Sequence, residues 1–279
     1  AVMSGAAKSS RPEVTNLPYF WDTLSRHRHR LLALDYDGTL APFRINRMQA
    51  YPYPGISGIL ARISRHRETT LAVVSGRPLA ELAILLGSFD GVVIGSHGME
   101  TRFSNGNVVA RVPDRDQREG LIRAQAAAEE RGLQALIEVK PASVALHTRG
   151  LEASQASRIE GEIADTWSSI SGQHRLEVLR FNGGLEVRST GWNKGNALAE
   201  LIRGMPEGSL CVYIGDDDTD EDAFLAIQSA GFGIRVGDPV VPTAARGFLH
   251  DIPSVRAFLQ TWSAIPPVDK ENMSWTRDG

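Results

Sequence analysis

Short, largely apolar runs of strand length at residues 31–34, 70–74, 91–94, 210–214 and 231–236 alternate with segments of helical period. Runs that are apolar throughout, rather than at every second residue, mark strands buried on both faces. Such strands belong to a parallel sheet with helices on either side. Residues 54–63 and 78–87 read as two of those helices, each with proline near its start, and Gly87 suits the end of the second. The pattern predicts an α/β fold with a doubly wound, Rossmann-like parallel-sheet core. A chain of 279 residues can also carry a second, smaller unit.

The middle of the chain has another rhythm. After a hairpin signal at Asn105-Gly106-Asn107, a helix is expected over about 117–130, strands over 135–139 and 143–148, and a helix over about 152–170. Strands at 176–181 and 185–188 follow, joined by Asn182-Gly183-Gly184, a strong hairpin signal. Helix, two strands, helix, two strands suggests an antiparallel sheet with helices on one face. We therefore expect an inserted α+β cap at 108–188, a core made of 14–107 and 189–265, and polar tails at 1–13 and 266–279.

Chemistry concentrates where apolar runs end. Leu31-Leu32-Ala33-Leu34 leads into Asp35-Tyr36-Asp37-Gly38-Thr39-Leu40, and two carboxylates leaving a buried strand are costly unless a cation or reacting group answers them. Alternation puts residues i and i+2 on one side of an extended chain, so both can face one substrate. A surface turn is the plain alternative. A calcium loop is not, since loop positions six and twelve hold Leu40 and Asn46 rather than glycine and glutamate. Val73-Val74-Ser75-Gly76-Arg77-Pro78 sets a hydroxyl before a helix whose first N–H groups are free, which suits phosphate or simple capping. Lys194 opens another helix and offers either a fixed positive charge or a solvated side chain. In Gly215-Asp216-Asp217-Asp218-Thr219-Asp220-Glu221-Asp222 the carboxylates exceed what helix capping needs, which implies a divalent metal. In an open α/β sheet these strand ends converge on one crevice.

Composition removes other classes. A net charge of −3 gives no basic field for nucleic acid. The local run Arg26-His27-Arg28-His29-Arg30 reads as a solvated helix end before the first strand. One cysteine, Cys211, can form neither an internal disulfide nor a thiolate metal site, and a reducing cytoplasm is expected. No run approaches the ~18 apolar residues of a membrane span, and residues 1–12 lack the apolar stretch of a signal peptide.

Asp35-Tyr36-Asp37-Gly38-Thr39-Leu40-Ala41-Pro42, Ser75-Gly76-Arg77, Gly95-Ser96-His97-Gly98, Lys194-Gly195 and the 215–224 segment together resemble the haloacid dehalogenase superfamily and, within it, the trehalose-6-phosphate phosphatases. The likeness covers most of residues 20–260. It implies Asp35 as nucleophile and Asp37 as acid and base, with Ser75 and Lys194 on the phosphoryl group. Mg²⁺ is implied on Asp35, Asp37 and Asp216, with Asp217 and Asp220 behind it. It also implies a cap that reads the sugar, here through Glu138, Lys140, Ser143 and Glu186, with Gly76, Arg77 and His97 on the core side. A sugar phosphate is then the substrate, and association with a sugar-phosphate synthase is open. Sucrose, glucosylglycerate or pseudo-disaccharide phosphates, or a silent sugar-phosphate-binding module, remain alternatives.

Overall fold

The computed structural model describes Glu13, Val14 and residues 18–267; most of both expected tails lies outside the described residues. Helix α1 (Pro18–Arg26) precedes β1 (Arg30–Asp35), which is buried along its whole length. Then come α2 (Ile56–Ile63), β2 (Thr69–Val74), α3 (Leu79–Leu86), β3 (Val92–Gly95), β4 (Glu100–Arg102) and β5 (Val108–Ala110). The second half of this sheet comes from far along the chain: α6 (Lys194–Arg203), β10 (Leu210–Gly215), α7 (Glu221–Ile227), β11 (Gly231–Val236), β12 (Gly247–Leu249) and α8 (Ile252–Ser263). Its order is β12-β11-β10-β1-β2-β3-β4-β5. All pairs from β12 to β3 are parallel, and β4 and β5 extend the edge as antiparallel strands around the expected hairpin.

Two apolar clusters sandwich this sheet. One joins Leu32, Leu34, Leu71, Val73, Val212 and Ile214 to α1, α2 and α8; the other joins Leu31, Ala33, Ala72, Val74, Cys211 and Tyr213 to α6 and α7. The alternating membership of β1 shows both faces covered, so its apolar run is continuous. Register completes the arrangement: Leu34 lies opposite both Ile214 and Val73, so the ends of β1, β10 and β2 sit side by side. The order turns outward in both directions from β1, and such a switch point opens a crevice at the strand ends.

Between these halves lies a separate four-stranded antiparallel sheet, β6 (Ile137–Lys140), β7 (Ser143–His147), β9 (Gly184–Ser189) and β8 (Leu176–Phe181), in that order. Helices α4 (Arg115–Glu129) and α5 (Ala153–His174) pack on it through Leu121, Ala124, Ile159, Ile163 and Trp167. Strand alternation sorts its side chains. Val144, Leu146, Leu185 and Val187 meet the helices, while Ser143, His147, Glu186 and Arg188 fall on the opposite face.

The basic run departs from expectation in one residue. Helix α1 ends at Arg26, but Arg30 is the first residue of β1 and is buried, its Nε donating to the His27 carbonyl at 2.8 Å. Burial pushes its pKa down against the opposing pull of Glu68. Among the described residues no helix is long and apolar enough to cross a membrane.

Candidate active site

Asp35 closes β1, is buried, and accepts a 2.7 Å bond from Lys194 Nζ. Lys194 is the first residue of α6, whose cap Asn193 exchanges bonds with Asn196, so the ammonium is delivered from a fixed helix end. It also donates to Asp220 at 2.7 Å. Burial works against its charge, but Asp220 and Asp35 outweigh it and hold Lys194 above its ordinary range.

Asp220 is the most enclosed of these carboxylates. It accepts from Lys194, from the Tyr213 hydroxyl at 2.5 Å, and from the Asp216 and Asp217 amides at 3.0 and 3.1 Å. Its acceptors are taken, and its part is to shape the 215–220 turn. Asp216 is different: among the described residues its side chain accepts only from the Thr39 hydroxyl, 3.5 Å away. Burial, followed by Asp220 and Asp217, pushes it up to about 8. Burial and then Asp220 likewise push Asp35 well up, despite Lys194.

Oxygens of Asp35, Asp216 and Asp220 lie within 4.8 Å of one another. Three carboxylates face one ammonium, an imbalance a hard divalent cation would answer. Gly38 keeps the space open. At φ +84° it adopts a conformation that favours glycine, and a Cβ there would lie 2.1 Å from Asp216 Oδ2. The donor set therefore fits a cation among Asp35, Asp216 and the loop that carries Asp37.

Asp37 is gripped by Arg77, which donates from Nε and Nη2 to both carboxylate oxygens at 2.7 Å. Arg77 also donates through Nη1 to the Arg47 carbonyl at 2.9 Å and to Glu81 at 3.3 Å. Arg77, expected on the substrate side, lines the cavity and also holds Asp37. Ser75 is buried at the end of β2, and its Oγ accepts from the Arg77 amide at 3.1 Å.

Opposite stands the polar face of the smaller sheet. Glu186 accepts from Lys140 at 2.9 Å and Ser143 at 2.6 Å on Oε1, while its Oε2 lies 2.5 Å from His97 Nε2. Burial opposes its charge, yet His97 and Lys140 hold it well below the usual carboxylate range. Lys140 also reaches the Gly76 carbonyl at 3.2 Å. His97 arrives from a tight turn after β3 in which Ser96 and His97 have φ of +48° and +54°. Two non-glycine residues in this conformation are locally strained, and such strain persists where surroundings over-determine it. Gly76 makes room, since a Cβ there would meet the imidazole at 2.5 Å.

The two faces enclose a cavity of about 670 Å³, within the size range of small-molecule sites. Asp35, Asp37, Ser75, Gly76, Arg77, His97, Glu138, Lys140, Glu186, Lys194 and Asp217 all line it. Ser143, which donates to Glu186, and Asp216 and Asp220, which lie close to Asp35, are not among the lining residues. Sequence reasoning missed Arg47, Glu81, Arg149 and Tyr213. Arg149, two residues beyond His147, stacks its guanidinium 4.5 Å from the Phe43 ring across the cavity mouth. Tyr213 carried a signal, standing in an apolar run that ends at the acidic cluster.

The trehalose-phosphatase family model matches residues 33–247, spanning the larger sheet and the insertion alike. The chain belongs to this family. It is 30% identical over 267 residues to a bifunctional trehalose-6-phosphate synthase/phosphatase of Thermoproteus tenax, covering 91% of this chain and 36% of that protein. It is 31% identical over 215 residues to a trehalose-phosphate phosphatase of Mycolicibacterium paratuberculosis, covering 72% and 52%. The chain thus spans about a third to a half of these curated relatives' length. The trehalose-6-phosphate phosphatase C-terminal domain of C. albicans superposes with a TM-score of 0.79 at 21% identity, over 91% of this chain and 99% of that one. The trehalose-phosphatase fold is therefore shared across the whole arrangement, larger lobe and smaller.

Proposed function

We propose that this trehalose-phosphatase family member hydrolyses trehalose 6-phosphate to trehalose and inorganic phosphate through an aspartyl-phosphate. The observation that carries the reading is the buried Asp35 held by Lys194 directly beneath a face bearing Glu138, Lys140 and Glu186. A carboxylate nucleophile needs an enclosed, charge-balanced seat, and a disaccharide needs acceptors placed away from the reacting phosphorus. The relatives' names point the same way.

In the first step an Asp35 oxygen bonds to phosphorus while the bond from phosphorus to the sugar oxygen breaks, and Asp37 supplies the proton that oxygen needs. In the second, Asp37 takes a proton from water as that water attacks phosphorus, and Asp35 is released as carboxylate. Arg77 holds both Asp37 oxygens, so one of these bonds is exchanged for the leaving oxygen when Asp37 acts. Ser75 and Lys194 neutralise the transferring group. Asp35, the Asp37 backbone carbonyl and Asp216 would hold Mg²⁺, whose bound charge stabilises the phosphoryl oxygens. The smaller sheet with its two helices acts as the cap, excluding water and reading hydroxyls. A synthase as partner is consistent with the bifunctional relative.

Release of phosphate from a panel of disaccharide phosphates tests the reading. We expect trehalose 6-phosphate to be turned over fastest, activity to vanish on exhaustive chelation and Mg²⁺ to restore it. Preference for a sucrose, glucosylglycerate or pseudo-disaccharide phosphate would reassign the sugar. No phosphate release from any of them with Mg²⁺ present would leave a sugar-phosphate-binding module.

A further inference from the structure

Arg47 stands on a short 3₁₀ turn, Arg47–Gln49, whose cap Asn46 accepts from the Met48 amide at 3.1 Å. Its guanidinium reaches two carboxylates from different lobes: Nη2 lies 2.7 Å from Glu81 on α3, and Nη1 pairs with Glu138 on β6. Glu81 and Glu138 are both largely buried and both line the cavity. Bringing the smaller sheet down onto the larger one therefore sets like charges along one wall, and like charges resist this unless a cation stands between them. A planar fork with several donors answers two carboxylates at once, which a single ammonium does less well.

The pairing also orients Glu138. Arg47, His147 at 2.8 Å and Lys140 at 4.0 Å all approach its Oε2, and among the described residues none hydrogen-bonds its Oε1. One oxygen is thus clamped while the other keeps its acceptor capacity. On the larger lobe the Arg47 carbonyl accepts from Arg77, which grips Asp37, so the clamp runs from the acid to the opposite wall.

We propose that Arg47 is a positioning residue: it registers the smaller lobe on the larger one and presents one oxygen of Glu138 to a substrate hydroxyl. The second half of this proposal rests on the sugar-phosphate reading above; the first does not.

The test pairs a distance measurement with kinetics. Exposed Ile84 on α3 and Ile122 on α4 are changed to cysteine and spin-labelled; the chain's own Cys211 is buried. The parent pair is expected to give one dominant distance by electron double resonance. Arg47→Ala should add a second, separated population, and Arg47→Lys should fall between them. Unchanged distances in Arg47→Ala overturn the proposal whatever the kinetics. In kinetics, Arg47→Ala should raise KM for trehalose 6-phosphate roughly tenfold with a smaller change in kcat, and p-nitrophenyl phosphate should suffer at least fivefold less. Combining it with Glu138→Gln should cost much less than the product of the two single losses, because they remove one interaction. Multiplicative losses overturn the orienting role. If the parent protein does not hydrolyse trehalose 6-phosphate, the substrate reading falls and the distances alone decide.

Discussion

At the scale of single residues, the site is a contest between crowded carboxylates and the few cations that reach them. Asp35 has a cation and still sits above its ordinary range, because burial and Asp220 outweigh Lys194. Replacing it with the isosteric amide removes the nucleophile and also one crowded charge. Asp35→Asn is therefore expected to release phosphate at under a tenth of the parent rate while unfolding at a higher temperature than the metal-free parent, as assayed by phosphate release and calorimetry. Asp216 gives a sign to the pH dependence. Its unfolded carboxyl ionises near 3.8, whereas burial, Asp220 and Asp217 keep the folded one protonated up to about 8. Within that window the folded state binds more protons, so metal-free stability should fall as pH rises from about 4 to about 8. Saturating Mg²⁺ should flatten the slope, and thermal unfolding across that range with and without the ion checks it. A metal-free protein whose midpoint climbs from pH 5 to 8 would contradict the assignment.

At the scale of elements, each core station lies where a strand stops or a helix opens. The turn after β1 is tight: the Gly38 amide donates to the Ala41 carbonyl at 2.8 Å, and the Leu40 and Ala41 amides both donate to Tyr36 at 2.9 Å. Gly38→Ala would combine an unfavourable φ with a methyl in contact with Asp216. We expect turnover to fall at least a hundredfold, with apparent Mg²⁺ affinity reduced and the far-ultraviolet spectrum preserved, because the strain is confined to the turn. These core elements were legible in sequence because buried parallel strands are continuous apolar runs, and β11 matches its expected residues from 231 to 236. Strand β12 was not, since Gly247-Phe248-Leu249 is too short to show a pattern. Helix α8 was overlooked although Asp251 caps it and Pro253 stands in its first turn. On the site, Asp35, Ser75, Lys194 and Asp216 could be read because each follows a strand or opens a helix. Arg47 and Glu81 could not, because their meaning depends on which side chains fold opposite them.

At the scale of the whole molecule, Glu186 joins the lobes, accepting from Lys140 and Ser143 of its own sheet and lying against His97 of the other. Three protein groups leave room for one more donor on a carboxylate. Glu186→Ala should lower kcat/KM for trehalose 6-phosphate roughly tenfold to a hundredfold, since a charged acceptor is worth about 1.5–3 kcal/mol. p-Nitrophenyl phosphate, lacking sugar hydroxyls, should lose far less. Equal losses on both substrates would make Glu186 part of the scaffold rather than a reader of sugar.

The insertion also sets an order of assembly. During synthesis β1, β2 and β3 emerge early, but β1 keeps an open edge until β10 arrives, about 175 residues after β1 ends. All four strands and both helices of the smaller lobe are contiguous and finish in the interval. That lobe closes on itself, with the Gln117 side chain donating to the Thr190 carbonyl at 3.0 Å where the chain enters and leaves it. Its folding draws distant parts of the nascent chain together and shortens the effective loop that must close before β10 can dock. Until then the vacant flank of β1 is an apolar template, so the hazard of mispairing on the ribosome is concentrated on one strand edge and ends when β10 covers it.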